Sequence, residues 1–84
     1  MDTQAAISSM PHADDSKSRI DWVRDVVNQH QAHVIDGTVL DAFTASAIIT
    51  IYDALNDDNK EKYGGRHVLV MAEIAWKLHG ISNA

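Results

Sequence analysis

The sequence predicts an all-α protein: a small bundle of three main helices plus one short helix, behind a disordered N-terminal tail. Three observations carry that prediction. Apolar residues recur at helical spacing in three segments of the chain. Glycines at 37, 64–65 and 80 fall where those segments and a short charged one should stop. The first 17 residues lack a repeating apolar face and hold the only proline, Pro11. With 84 residues there is no room for a second domain. The expected organisation is a disordered tail over 1–17 and a single helical domain over 18–81.

The tail reads MDTQAAISSMPHADDSK. Its small, polar and acidic residues cannot bury enough apolar surface to offset the entropy of ordering. The first helix is expected from Ser18, which stands three residues before Asp21 as in a capping box, to Gly37. Ile20, Val23, Val27, His30 and Val34 follow at spacings of three, four, three and four, a heptad stripe. Trp22 lies beside that stripe. Its β-branched residues lower helix propensity, so packing must hold this helix. The second helix is expected over DAFTASAIITIYDALN, capped by Thr38 or Asp41, with Ala47, Ile48, Ile51, Tyr52 and Leu55 on one face. IITIY suits a strand, but its flanks are helical. A short helix from Asp57 or Asp58 to Tyr63 follows, with acids leading and Lys60 and Lys62 trailing, as the helix dipole favours. The last helix is RHVLVMAEIAWKLH, stopped by Gly80. The expected core is Ile48, Ile51, Leu55, Val68, Met71, Ile74, Ala75 and Leu78.

Composition removes several functions. Seven Lys+Arg stand against twelve Asp+Glu, a net charge of −5, so broad affinity for phosphate backbones is not expected. The absence of cysteine excludes disulfides, thiolate zinc sites and thiol catalysis. No apolar run approaches the roughly 18–20 residues that span a bilayer. The N-terminus carries Asp2 where a signal peptide needs basic charge. A cytoplasmic protein is expected.

Residues that could carry chemistry are sparse. His30, His33 and Asp36 are spaced to form a row on a helix, but H-x-x-H lacks the glutamate and the four-residue spacing of the zinc-protease motif. A stripe position for His30 and solvated positions for the other histidines explain them without a metal. Asp57 and Asp58 serve as caps, and Glu73 as a solvated flank. Gly64–Gly65 is a turn, since no GK[ST] follows it. No cofactor and no catalytic residue is expected. The short helix, glycine turn and last helix also allow a small DNA-binding transcriptional regulator. The middle of that last helix, VLVMAEIAW, is too apolar for a groove.

The surface most expected to matter is therefore the first helix. Ile20, Trp22, Val23, Val27, His30 and Val34 form a seam for a protein partner or for a second copy of the chain, giving a homodimer. The competing expectation is that the same stripe completes a monomeric bundle.

The second half carries a resemblance. Residues 44–79 resemble small proteins encoded by tailed phages of actinobacteria. In that pattern small residues precede an apolar helix, then YDALN, a charged turn and a closing A-[FW]-K-L helix. The matching residues are Ala45, Ala47, Tyr52, Ala54, Leu55, Asn56, Asn59, Lys62, Tyr63, Met71, Ala75, Trp76, Lys77 and Leu78. The resemblance implies a phage product without an active site that binds and redirects another protein, a bacterial host protein included. The function expected is a non-enzymatic protein-binding module in the host cell cytoplasm.

Overall fold

The computed structural model describes residues 10–79. Over that range the chain is mainly helical, with one small hairpin. The order is α1 (Arg19–Gln29), β1 (His33–Ile35), β2 (Thr38–Leu40), α2 (Ala42–Ala54), α3 (Asp57–Gly64) and α4 (Val68–His79). The all-α expectation is thus corrected by one two-stranded antiparallel sheet.

The correction falls on the first helix. Ser18 caps α1 as expected, accepting a hydrogen bond from the Asp21 N–H at 3.3 Å. The helix then ends eight residues before Gly37. His30 takes a left-handed conformation, φ 50°, and its N–H donates to the carbonyls of Val26 and Val27. Residues 33–40 read HVI-DG-TVL. β-Branched residues on both sides of Asp-Gly favour a hairpin over a continued helix. Val34 faces Val39 across the pair, and Ile35 faces Thr38. Asp36 and Gly37 both have positive φ, 53° and 73°, as a tight two-residue hairpin turn of type I′ demands.

Order also extends into the tail. The Ala13 N–H donates to the Val34 carbonyl at 2.8 Å, and the Val34 N–H donates to the Pro11 carbonyl at 2.8 Å. This parallel bridge lays residues 11–13 along the open edge of β1. Within the expected tail, residues 11–13 are thus paired with β1, and residues 1–9 lie outside the described range.

The three later helices stand close to expectation. Asp41 caps α2, accepting from the Thr44 N–H at 2.7 Å. Asn56 caps α3, accepting from the Asn59 N–H at 2.9 Å, which leaves Asp57 and Asp58 to the first turn rather than the cap. The α4 N-terminus takes its acceptors from elsewhere. The Val68 N–H donates to Asp36, and the Leu69 N–H to His67 Nδ1.

The core forms where α1 and α4 both lean on α2. Val23, Val26, Ala45, Ile48, Val68, Met71 and Ala75 are fully buried, and Ile20, Ile35 and Leu40 nearly so. Of the expected core, Ile48, Val68, Met71 and Ala75 are buried, while Ile51, Leu55 and Ile74 pack half-buried against it. Leu78 is corrected: it is 63% exposed. Val68, Met71 and Ala75 turn one side of α4 inward, and Leu78 falls at the edge of that side. Tyr63 anchors α3 to α4, its buried hydroxyl donating to the Met71 carbonyl at 2.7 Å. Burial pushes that phenol up to about 12.

Candidate functional site

The six residues of the expected seam do not share a surface. Ile20 and Val23 are buried against the chain's own core. Val27 and Trp22 are half-buried and pack on the same core. His30 is the exposed left-handed cap, and Val34 belongs to β1. The heptad is broken by the end of α1, and the competing expectation, a stripe that completes the chain's own bundle, describes Ile20 and Val23. The row of His30, His33 and Asp36 is dissolved by the same helix end. Among the described residues no three His, Cys, Asp or Glu side chains gather as metal ligands would.

His33 is the residue most changed by the hairpin. It is 1% exposed, not solvated as expected, and its Nδ1 has no hydrogen-bond partner among the described residues. The Trp22 ring meets it edge-on, with centroids 6.2 Å apart. Burial holds its basicity below the usual histidine range. Nearby Lys17 adds to that, and Asp25 opposes it. The Trp22 indole N–H donates to the Asp14 carbonyl at 3.0 Å, and Lys17 Nζ sits 4.4 Å over the Trp22 ring. Trp22 is therefore a strut between the N-terminal segment and the hairpin rather than a free anchor.

Beside it lies a polar cavity of about 370 Å³, lined among others by Asp14, Asp15, Lys17, Arg19, Trp22 and Asp36. Three carboxylates in one recess would suit acid–base chemistry only if one were held neutral near pH 7. The opposite holds. Asp14 is lowered by hydrogen bonds from the Ser16 hydroxyl and N–H. Burial alone would raise Asp36, but Arg19, the Val68 N–H and His67 together bring it below the usual value. Arg19 grips it with two hydrogen bonds, 2.6 and 3.1 Å. Both carboxylates are stabilised as anions, and the lone pairs of Asp36 are already committed to structure.

Three of the seven Lys and Arg side chains are also committed to carboxylates. Arg24 pairs with Asp53 at 2.5 Å, and Lys17 pairs with Asp25. The Arg24–Asp53 hydrogen bond raises the guanidinium and lowers the carboxyl. A DNA-reading face would need Arg19, Arg24, Arg66 and Lys77 together. Two of the four are tied to carboxylates on the chain itself.

Apolar surface is the remaining feature. Phe43, at the start of α2, is 70% exposed, and its ring lies tilted on Trp76 of α4 with centroids 5.3 Å apart. Leu69, 54% exposed, is two helical turns before Trp76 on the same side of α4. This ledge is not expected from the sequence, where Phe43 reads only as part of a helix start. Its one legible signal is that α4 is apolar on too many sides for a single core. Neither family models, curated proteins nor solved structures match this chain.

Proposed function

We propose that the chain is a non-enzymatic protein-binding module that acts by occupying a partner's surface through the Phe43–Trp76–Leu69 ledge. The carrying observation is the exposure of Phe43 on top of Trp76. A largely bare aromatic ring stacked on a second, half-buried one is the composition of an interface centre, where rigid aromatic side chains give contact area at little entropic cost. Exposed apolar patches on small domains mark such sites. The commitment of Asp36 to Arg19 and the Val68 N–H favours binding over catalysis, and the pairing of Arg19 and Arg24 favours protein over DNA. The resemblance of residues 44–79 to small phage proteins points to a bacterial host protein as partner, with the host cytoplasm as the place of action. No helix among the described residues is long and apolar enough to cross a membrane.

The test is affinity capture from actinobacterial lysate with the native chain and with Phe43→Ser/Leu69→Ser, read by mass spectrometry. Both positions are exposed, so the variant keeps its fold, as circular dichroism will verify. A protein retained by the native chain and lost by the variant supports the ledge. Equal retention by both places the binding surface elsewhere.

A further inference from the structure

The other flank of α4 carries a second surface with a different character. Ile51 of α2, Leu55 at its C-cap, and Ile74 and Leu78 of α4 form the apolar floor of a groove of about 220 Å³, closed on its third side by α3. Lys62 and Arg66 border it. No aspartate or glutamate lines it, on a chain where acids outnumber bases twelve to seven. Neither of these two cations is neutralised by a carboxylate of the chain. Lys17, Arg19 and Arg24 each hold a carboxylate, and Lys60 lies over the Tyr52 ring. Among the described residues Lys62, Arg66 and Lys77 are in no ion pair, and of these Lys62 and Arg66 line the groove. Two unpaired cations thus stand beside a leucine that is 63% exposed.

We propose that this groove docks an acidic, amphipathic segment of a partner protein, its apolar side chains on the Ile51–Leu55–Ile74–Leu78 floor and its carboxylates against Lys62 and Arg66. Charge complementarity singles out that occupant. An apolar floor alone would accept any greasy segment; a rim whose charged members are both cations selects one that brings carboxylates and repels one that brings lysines. The size fits side-chain anchors rather than a whole element, as when a helix lays residues i, i+4 and i+7 into a groove. A phosphate backbone fits less well, since two cations above four aliphatic side chains give it little to neutralise it. This surface is distinct from the ledge, so it stands or falls separately from the proposed function.

The probe is a synthetic helical peptide with leucines at i, i+4 and i+7 and glutamates flanking them, titrated into the full ¹⁵N-labelled chain. A second peptide replaces every glutamate by lysine. The glutamate peptide is expected to shift the amides of Leu55, Lys62, Arg66 and Leu78 and to leave those around Phe43 in place. Lys62→Glu/Arg66→Glu, two exposed positions that leave the core untouched, should weaken it by about tenfold at low salt. The same variant should now bind the lysine peptide better than the native chain does. Leu78→Ser should weaken both pairings. Three results overturn the proposal. One is no shift in the groove at millimolar peptide. Another is equal binding of the two peptides by the native chain. The third is concentration-dependent groove shifts without peptide, with a doubled mass in light scattering, which would make a second copy the occupant.

Discussion

Asp36 joins three parts of the chain through one carboxylate: the hairpin turn that carries it, Arg19 at the start of α1 and the Val68 N–H at the start of α4. It also supplies one of the two left-handed residues of the turn, a conformation that Asp tolerates better than most side chains. Asp36→Ala should therefore cost about 2–3 kcal/mol, because it leaves a partly buried guanidinium and an N–H without an acceptor. Asp36→Asn, which keeps the turn and one acceptor, should cost less, and urea denaturation of the two variants ranks them. Its carboxyl is lower in the folded chain than in the unfolded one. The stability it gives is complete above about pH 4 and is lost as pH falls through the folded value. His33 titrates higher and in the same direction. Its folded basicity is lowered by burial, so the unfolded chain binds the proton more readily. Stability from keeping it neutral is complete above about 6.5, the ordinary histidine value, and falls as pH drops below that. Melting temperature should thus decline between pH 7.5 and 5.5, and His33→Leu should flatten this part of the profile; an equally steep decline in that variant would acquit His33. Neither residue's role is legible in the sequence. Helical spacing puts Asp36 in a row of conceivable metal ligands and His33 in solvent, because both readings assume that α1 continues through them.

That assumption fails at the level of elements. The heptad spacing of Ile20, Val23, Val27, His30 and Val34 is real, but a spacing pattern does not register where the backbone stops obeying it. His33–Ile35 and Thr38–Leu40 around Asp-Gly carry the competing signal, a two-residue hairpin turn flanked by strand formers. Gly37 read as a helix stop is the same residue read at the wrong element. By contrast Ser18, Asp41 and Gly64–Gly65 mark their helix ends correctly, because a cap or a glycine stop is a local device that tertiary structure seldom overrides. The hairpin makes a sharp test. A Cβ at Gly37 would meet nothing within 4 Å, so Gly37→Ala creates no clash. Its φ of +73° alone should cost about 1–2 kcal/mol in thermal denaturation; no loss of stability would mean that the turn relaxes into another type. The N-terminal segment gives the second test at this scale. Composition predicts that residues 1–17 are dispensable, yet Pro11 and Ala13 occupy the edge of β1 and Asp14 satisfies the Trp22 indole. Backbone pairing needs no particular side chains, so composition is blind to it. Removing residues 1–17 should lower stability by about 1–3 kcal/mol. It should also abolish hydrogen-exchange protection of the Val34 amide, which donates to the Pro11 carbonyl. Unchanged protection at Val34 would return these residues to the status of a tail.

At the scale of the whole molecule, the question is whether α1 belongs to this chain's core or to an interface between two chains. Small domains gain stability by association, and a leftover apolar seam is the usual means. Here the seam is not left over. Ile20, Val23 and Val26 are buried within a single chain, with Val27 and Trp22 packed against them, so α1 is spent on α2 and the hairpin. A homodimer built on α1 would require exposing this core first, at a cost comparable to the stability of the domain itself. The large apolar side chains exposed among the described residues are Val39 on the hairpin, Phe43 with Leu69 on one flank of α4 and Leu78 on the other, none of them on α1. Light scattering at pH 7.5 and tens of micromolar should accordingly return the mass of one chain. Val27→Glu separates the two accounts. Placed half-buried against the core, the carboxylate loses solvation without gaining a partner and should cost about 1–3 kcal/mol, lowering the melting temperature at constant mass. A native mass of two chains that Val27→Glu splits into folded monomers would instead restore α1 as an interface. It would also require that the packing of Ile20 and Val23 seen within one chain be exchanged between two.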